Sequence, residues 1–496
     1  MGLREKEYLK TRYAAILSSI GVILFLSSGI MLTPLFVLIT NPEESVNILS
    51  FCLPAAFLAI PGGILWRLFE SKSKTTLTVQ EGGIIILISW LTVIFFSAWP
   101  FASILGLPFS RVLFEAMSGW TTTGLSVVDV SAAGPMILLW RSVMQLAGGA
   151  GLAIIMMSAI VAPAGIGISA AEGRSDQLVP QVRQSARLVL IIYSAYAIVG
   201  TLAYSLAGMS LFDAVNHAFA AVSTGGFSTK AESIGYWDSI FIEGITIPLM
   251  ILGNLSFVTA WLLWRGKFNF VFKNGEVRLQ SILIPLSAAL VFIVTGKTLY
   301  PHIGKAIRVS IFETVSALTT TGFSTVSYSN WDSFGMIILI SLMLIGGGTC
   351  STAGGIKQFR VYLLLKSLAW EVKRYFMPKA AVQEHALWEG NRRVFWDDSK
   401  LRQVAVFVFL YLATLGLGVM ILCSYGYNLN DALFEFASAL GTVGLSVGVT
   451  TATMPNVVLW AEIFAMFLGR LEFLVVIVSY LKIGKDISIL FKRASS

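Results

Sequence analysis

Four short stretches of the chain are rich in threonine, serine and glycine, the composition of a loop that coordinates a cation through backbone carbonyl oxygens. They occupy residues 114–126, 216–228, 312–325 and 434–446. Their aligned glycines, at intervals of 102, 96 and 122 residues, are Gly124, Gly226, Gly322 and Gly444. Self-similarity of this kind indicates an internal repeat. Four such loops around one axis would replace the water shell of a cation, as carbonyl rings do in potassium filters.

The repeat predicts a selectivity filter built from four residues of each stretch, ending at the shared glycine. The predicted ion-binding residues are Thr121, Thr122, Thr123, Gly124, Ser223, Thr224, Gly225, Gly226, Thr319, Thr320, Thr321, Gly322, Gly441, Thr442, Val443 and Gly444. Glycine suits such loops because it adopts a positive φ without cost. Gly225, Gly441 and Val443 replace threonines, so we expect weaker discrimination between cations than an identical ring provides. The alternative interpretation is four ordinary helix ends.

The composition excludes most other classes of protein. The chain has 496 residues, of which 56% are hydrophobic and 12% charged, whereas soluble proteins carry about 25% charged residues. We therefore predict a polytopic membrane protein. The three cysteines are far apart and form neither a disulfide framework nor a metal-ligand spacing. No phosphate-binding loop, paired acids or nucleophile triad is present, so we predict no enzyme activity, no organic cofactor and no nucleic-acid partner.

The basic residues lie on one side of the predicted membrane. With a cytoplasmic N-terminus, the outside segments hold only Arg111, Lys230, Lys297, Lys305 and Arg308. The inside segments hold the basic groups of residues 4–12, 67–74, 174–187, 265–278, 357–402 and 482–493. The positive-inside rule then predicts an even number of crossings and cytoplasmic N- and C-termini. The first apolar stretch has no small-residue cleavage site, so we interpret it as a retained helix.

The spacing of apolar segments predicts an all-α fold with four pseudo-symmetric units around one pore. Each unit has a helix, a short pore helix, a filter loop and a second helix. An N-terminal helix hairpin at 1–75, with helices at 14–40 and 47–69, precedes them. The units span 82–163, 184–265, 278–370 and 401–482, with a cytoplasmic linker at 371–400 and a tail at 483–496. Because lipid cannot surround a mid-membrane loop, the four loops must face a wet axis.

Three acids recur at one position of the predicted pore helices. They are Glu115, Glu313 and Glu435, and His217 takes that position in the second copy. One interpretation is that the acids cap the helix N-termini, where negative charge is stabilising. The other is that they attract cations at the outer mouth. At the opposite end, each pore helix would direct a partial negative charge of about half an electron toward the cation.

Two features break the four-fold pattern. The second helix of unit three is interrupted by Gly346, Gly347, Gly348, Thr349, Cys350, Ser351, Thr352, Ala353, Gly354 and Gly355. Each glycine costs a helix roughly 1 kcal/mol relative to alanine, so we predict a flexible gate under the pore; a tight helix–helix contact is the alternative. Arg470 lies in the last apolar segment, where a charge costs roughly 2.5–3.5 kcal/mol. We predict that it contacts carbonyls of 346–355 as a positive barrier; a structural ion pair is the alternative.

Aromatic residues alternate with basic ones in and beside the linker, at Trp370, Trp388 and Trp396. Tryptophans beside lysine and arginine are typical of an anchor at the membrane interface. The linker therefore predicts contact with membrane lipids. A docking surface for a partner protein is the alternative interpretation.

Together, the four helix–half-helix–loop–helix units, the extra N-terminal pair, the segment GGGTCSTAGGIK and the arginine of the last helix carry a resemblance. The chain resembles the Trk/Ktr/HKT superfamily of potassium transport proteins over essentially its whole length, and most closely the bacterial TrkH/TrkG branch. The resemblance implies a homodimer in the bacterial inner membrane, each subunit with its own pore. It implies a cytosolic TrkA-like subunit that binds nucleotides and controls the gate, and potassium as the transported ion.

These observations predict gated, channel-like potassium uptake. One alternative is the potassium-binding subunit of an ATP-driven pump, which uses related filters. Another is a proton- or sodium-coupled potassium symporter, because such transporters place substrates at broken helices and the 346–355 interruption fits. A symporter would need a titratable group in the ion path, and the filter stretches offer none.

Overall fold

The computed structural model describes residues 2–69, 77–151, 182–378, 386–389, 392–395 and 398–491. The regular secondary structure of these residues is almost entirely helical, which confirms the predicted all-α fold of a polytopic membrane protein. One small exception lies in the predicted linker, where strands β1 (Ala386–Glu389) and β2 (Arg392–Phe395) pair antiparallel. The end of predicted unit 1 at 152–163, the basic residues between 70 and 76, and Trp396 lie outside the described residues.

The N-terminal pair consists of α1 (Gly2–Met31) and α2 (Ile48–Phe69). Helix α1 ends earlier than residue 40 because Pro34 follows, and the residue before a proline is disfavoured in the helical region. Two 3-10 turns, Thr33–Ile39 and Pro42–Asn47, make the connection. The helices cross at Gly21 and Gly62, where an added Cβ on Gly62 would lie 2.8 Å from the Gly21 carbonyl oxygen.

Four units of the same design follow. Units 1 and 2 contain α3 (Val79–Ser97), α4 (Trp99–Leu105), α5 (Phe109–Trp120), α6 (Pro135–Gly149), α7 (Val182–Leu206), α8 (Leu211–Val222), α9 (Ile240–Asn254), α10 (Phe257–Trp264) and α11 (Phe268–Val271). Units 3 and 4 contain α12 (Gly275–Val291), a π turn (Phe292–Gly296), α13 (Lys297–Leu299), α14 (Ile303–Leu318), α15 (Ser333–Ile345), α16 (Gln358–Arg374), α17 (Asp398–Ser424), α18 (Leu429–Leu440), α19 (Asn456–Leu471) and α20 (Phe473–Phe491). We call α5, α8, α14 and α18 the short helices.

Local sequence explains where several helices begin. Thr78 caps α3, and its backbone N–H donates to Glu81 in a reciprocal capping box. Ser210 accepts the backbone N–H of Asp213 at the start of α8, and Asn428 accepts that of Asp431 at the start of α18. These side chains satisfy N–H groups that have no partner inside the helix.

The second helices of units 2, 3 and 4 are each broken, although the sequence predicted a break in unit 3 alone. Helices α9 and α10 meet at a bend of 116°. Residues 346–357 separate α15 from α16, and Glu472, with φ 63°, separates α19 from α20. Among the described residues, six helices are long and apolar enough to cross a membrane, or seven if the bent pair is one span. The breaks divide the second helices of units 2, 3 and 4 into shorter segments, and none of these is among the six.

The outer surface of the bundle is apolar. Large exposed side chains on the long helices include Ile60, Leu202, Phe241, Phe409 and Tyr480. In contrast, every residue from Ser118 to Thr123 and from Ser316 to Thr321 is buried. Apolar residues therefore face outward and polar residues face inward, the distribution expected where the surrounding medium is hydrocarbon.

The crossing of α1 and α2 gives a test of packing. Gly62→Ala should lower the free energy of unfolding by about 1–3 kcal/mol, because the added methyl group overlaps the backbone of α1. Gly29→Ala in α1 is the matched control, since no atom lies within 4 Å of an added Cβ there. The measurement is the apparent melting temperature in detergent. An equal melting temperature for the two variants would contradict close packing at Gly62.

Candidate ion-binding site

The four predicted filter stretches, here called Thr/Gly loops 1 to 4, have the same backbone conformation. Their first residues continue the short helix with φ between −74° and −79°. Their second residues, Thr122, Thr224, Thr320 and Thr442, have φ of 55°, 50°, 52° and 49°. Their final glycines have φ of 94°, 75°, 79° and 101°. Positive φ was expected for glycine but not for threonine, where it is a genuine outlier that persists only when the surroundings impose it.

The four loops close a ring through contacts between backbones. An ideal Cβ on Gly124 would lie within 3.0 Å of the carbonyl oxygen of the third residue of loop 2. The same holds from loop 2 to loop 3, from loop 3 to loop 4 and from loop 4 back to loop 1; the oxygens are those of Gly225, Thr321, Val443 and Thr123. No real Cβ fits at such a distance, so the shared glycines are required by space as well as by φ. The loops surround one common axis.

Most loop hydroxyls are engaged within their own unit. Thr121 Oγ1 donates to the Met117 carbonyl at 2.7 Å, and Thr319 Oγ1 donates to the Val315 carbonyl at 2.7 Å. Loop 4 has Gly441 and Val443 in place of two threonines and therefore lacks these hydroxyls. Its backbone nonetheless bonds as in the other loops, with the third N–H donating to a carbonyl of the short helix in each case. The backbone geometry thus does not depend on the missing hydroxyls.

The second threonines form a layer on the side of the loops that faces residues 346–355. Thr224 and Thr320 bond to that segment, through Thr352 Oγ1 at 3.0 Å and the Gly354 N–H at 2.7 Å. Within the described part of the chain, Thr122 Oγ1 and Thr442 Oγ1 are buried and have no hydrogen-bond partner. Buried polar groups are ordinarily satisfied, so this layer retains capacity to bind.

The recurring acids lie in the middle of the short helices, so the interpretation that they cap the helix N-termini is wrong. Each is fully buried and accepts hydrogen bonds from the segment that follows its own loop. Glu115 accepts the Val127 N–H at 3.1 Å, and Glu313 accepts the Thr325 N–H at 2.8 Å. Glu435 accepts bonds from Ser446, Val447 and Thr450, and His217 Nε2 bonds to Ser228 Oγ at 2.9 Å. The acids do not cap helix ends; they hold the chain that leaves each loop, and attraction of cations by these acids stays a prediction.

The residues Gly346–Gly355, called the inner segment, form a packed non-helical structure. The Gly348 N–H donates to Asn254 Oδ1 at 3.1 Å, and the Thr349 N–H donates to Glu276 Oε1 at 2.6 Å. All its residues except the half-buried Thr349 are buried. Since Asn254 belongs to unit 2 and the inner segment to unit 3, the Gly348–Asn254 bond joins two units.

The inner segment lies directly against the Thr/Gly loops. Besides the bonds to Thr224 and Thr320, an added Cβ on Gly354 would lie within 3.0 Å of the Thr442 hydroxyl oxygen. The segment therefore contacts loops 2, 3 and 4 on the same side. This position covers the axis that the four loops surround.

Arg470 makes the carbonyl contact that was expected from the sequence. Its Nη1 donates to the Thr352 carbonyl oxygen at 2.7 Å, and its Nη2 donates to the Gly148 carbonyl oxygen at 2.7 Å. Glu472 does not pair with Arg470 but accepts a bond from Arg360 Nη2 at 2.7 Å. The lining of a cavity of about 40 Å³ beside the inner segment includes three basic residues and Glu472. Its basic residues are Lys357, Arg360 and Arg470.

Known proteins share this architecture. A family of cation transport proteins, TrkH, matches residues 48–488. The Trk system potassium uptake protein TrkG of Escherichia coli is 32% identical over 477 residues, covering 93% of this chain and 96% of that protein. The chain belongs to the TrkH family. An uncharacterised cation transporter of Methanocaldococcus jannaschii is 32% identical over 473 residues, covering 94% of each chain. The crystal structure of the potassium transporter TrkH from Vibrio parahaemolyticus matches with a TM-score of 0.82 and 26% identity, covering 95% of this chain and 98% of that one.

The part of the chain that matches the TrkH family includes all four Thr/Gly loops, the inner segment and Arg470. Several polar residues around the loops were not singled out from the sequence: Arg141, Gln145, Asn254, Glu276, Arg360 and Glu462. The signal for most of them was a polar residue on an otherwise apolar helix, and the residues that they contact are distant in sequence.

Arg141 illustrates what such a residue does in this TrkH-family chain. It lies on α6, is 2% exposed, and its Nε donates to Glu115 Oε1 at 2.8 Å. Its Nη1 donates to the Ser228 carbonyl oxygen at 2.9 Å, and its guanidinium lies 3.9 Å from the Phe227 ring centroid. One side chain therefore ties the acid of unit 1 to the segment after loop 2.

The Arg141–Glu115 pair gives a second prediction. Arg141→Met should destabilise the protein by about 3–5 kcal/mol, because it leaves a buried carboxylate without its cation. The measurement is the apparent melting temperature in detergent. The double variant Glu115→Gln with Arg141→Met removes both charges and should recover part of the loss. If Arg141→Met melted like the wild type, the ion pair would not hold these segments.

Proposed function

We propose that this TrkH-family chain conducts potassium ions along the axis surrounded by the four Thr/Gly loops. The ring of backbone contacts supports the proposal most directly, because it brings four loops of one conformation around a single axis. The proposed ion-binding residues are those of the four loops, Thr121–Gly124, Ser223–Gly226, Thr319–Gly322 and Gly441–Gly444. The E. coli relative is a Trk system potassium uptake protein by name.

Two features of the loops fit a dehydrated cation. The C-terminal ends of four short helices meet the loops, and each such end carries a partial negative charge of about half an electron. The hydroxyls of Thr122 and Thr442, which have no hydrogen-bond partner among the described residues, add oxygen ligands without charge. Conduction requires that the ion be bound weakly enough to leave. Neutral oxygen ligands meet this requirement for a monovalent ion.

The inner segment, Gly346–Gly355, acts in this proposal as the gate. It contacts three loops, and Arg470 clamps it to unit 1 through the carbonyls of Thr352 and Gly148. A cation leaving the loops would meet both this segment and the charge of Arg470. Passage therefore requires that the segment move and that the clamp open.

The setting of the protein is also part of the proposal. The chain acts as a homodimer in the bacterial inner membrane, with cytoplasmic N- and C-termini. A cytosolic TrkA-like subunit binds nucleotides and contacts the basic residues of the cytoplasmic segments. This contact moves the inner segment. Family membership and the Trk system naming of the relative support this arrangement, and the basic residues of one side support the orientation.

Rubidium uptake into vesicles tests the proposal. The vesicles hold the chain and a TrkA-like subunit and are loaded with potassium, with no ATP and no proton or sodium gradient. They should accumulate tracer rubidium in exchange for the internal potassium. External potassium should block the uptake strongly and lithium weakly. Absence of uptake under these conditions and with a non-hydrolysable ATP analogue, with uptake restored only by hydrolysable ATP or by an ion gradient, would replace the channel proposal with the pump or the symporter.

Gly322→Ser tests whether the ring determines the ion. An added side chain would overlap the Val443 carbonyl oxygen, so we expect the rubidium-to-sodium uptake ratio to fall about tenfold, equivalent to 1.4 kcal/mol. Gly448→Ser is the matched control. Gly448 also has positive φ, 93°, but an added Cβ there would have no atom within 4 Å. Unchanged ion ratios in Gly322→Ser would remove loop 3 from the ion path.

Arg470→Ala tests the clamp. Loss of both carbonyl contacts and of the positive charge should raise rubidium leak through vesicles that lack a partner subunit. Arg470→Lys separates the two effects, because lysine keeps the charge but cannot reproduce the planar bidentate geometry. A leak in Ala but not in Lys would assign the barrier to charge, and a leak in both would assign it to the clamp. Leak equal to wild type in both variants would contradict the proposed role.

A further inference from the structure

Gln145 lies on the second helix of unit 1, but its side chain is built into loop 2. The side chain is fully buried. Its Nε2 donates to the Gly225 carbonyl oxygen at 2.5 Å, and its Oε1 accepts the Phe227 N–H at 3.1 Å. The two bonds bracket Gly226, the shared glycine of the loop. One amide group therefore satisfies a backbone donor and a backbone acceptor in the middle of the ring.

The same amide occupies the space of a missing side chain. An ideal Cβ on Gly225 would lie within 3.0 Å of Cδ, Oε1 and Nε2 of Gln145. Gly225 is not among the residues with positive φ, so its backbone conformation does not require glycine. In loops 1 and 3 this position is threonine, whose hydroxyl bonds to the first residue of the loop at 2.7 and 2.8 Å. In loop 2, space alone excludes that threonine.

The internal repeat shows that the two departures belong together. In units 1, 2 and 4 a glycine of the second helix packs against the carbonyl that precedes the loop; these are Gly148, Gly253 and Gly469. Three residues before them lie Gln145, Met250 and Met466, and in unit 3 Met343 lies three residues before Gly346. Glutamine thus replaces methionine in one unit only. That glutamine contacts the one loop whose third residue is glycine.

The contact also crosses a boundary between units. Arg141, one helical turn before Gln145, donates to the Ser228 carbonyl beyond loop 2. Ser142 donates to Asn216 of the short helix of unit 2 at 2.6 Å. Helix α6 therefore holds the neighbouring unit along its length, and Gln145 is the point where it reaches the ring.

We propose that Gln145 is a positioning residue for loop 2 and, together with Gly225, determines ion selectivity in that quarter of the ring. This inference rests on the proposed function, because ion preference is its principal readout. The Gln145 amide replaces, from unit 1, the side-chain contact that loop 2 lacks. It fixes the Gly225 carbonyl, the same oxygen that lies against Gly124 of loop 1. Movement of that oxygen changes the geometry of both loops.

Three variants test the inference: Gln145→Met, Gly225→Thr and the two combined. Gln145→Met leaves the Gly225 carbonyl and the Phe227 N–H without these partners, so the rubidium-to-sodium uptake ratio should fall about tenfold. Gly225→Thr overlaps the Gln145 amide and should abolish most uptake. The double variant places methionine and threonine together, and each of these residues stands at its position in at least two other units, so it should recover both uptake and ion ratio. Met250→Leu, at the same position in unit 2, is the control and should behave as the wild type.

A wild-type ion ratio in Gln145→Met would overturn the inference, as would a double variant no better than Gly225→Thr. Melting temperatures of the wild type, the two single variants and the double variant form a double-mutant cycle, and this readout does not depend on transport. Gly225→Thr should melt at a lower temperature, and the double variant should recover. If wild-type vesicles conduct no ions, the proposed function fails, while failure of the double variant to recover stability would overturn the Gln145–Gly225 pairing. Loss of stability without any change in ion ratio would mean that Gln145 is structural only.

Discussion

The contact between each shared glycine and the carbonyl of the next loop is the constraint on which the rest of the structure depends. Non-helical backbone at membrane depth must be surrounded by protein or by a water-lined cavity, because lipid offers no hydrogen bonds. Here the loops meet that requirement by packing on one another, backbone against backbone. None of the four units can shift without overlapping its neighbour. The long helices with apolar outer faces keep this polar ring out of the lipid.

A second layer keeps the loops in place, and its chemistry differs from unit to unit. The residue in the middle of each short helix always contacts the chain that leaves the loop, but it is glutamate in three units and histidine in one. In unit 1 the acid pairs with Arg141. In unit 4 the equivalent of Arg141, seven residues before the packing glycine, is Glu462, and Thr450 contacts both Glu435 and Glu462. Different side chains therefore stabilise the same backbone conformation in the four units.

The inner segment explains why unit 3 differs from the others. Its hydrogen bonds reach Asn254 of unit 2, Glu276 and Thr320 of its own unit and, through Arg470, units 4 and 1. Each such bond contributes only about 1 kcal/mol. Movement of the segment would break several bonds in different units together, so the segment is held in place although it is rich in glycine.

The sequence by itself determined the membrane class, the number of repeated units, the positions of the four loops, the interruption at 346–355 and the unusual charge at Arg470. These features are local in sequence or periodic, so composition and self-similarity reveal them. The tertiary structure decided the positive φ of the second threonines, the breaks at Asn254–Phe257 and Leu471–Phe473, and the bracing role of the recurring acids. It also decided that Gln145 completes loop 2. Each of these depends on residues that are distant along the chain, where no local pattern records which side chain fills the space left by a glycine in another unit.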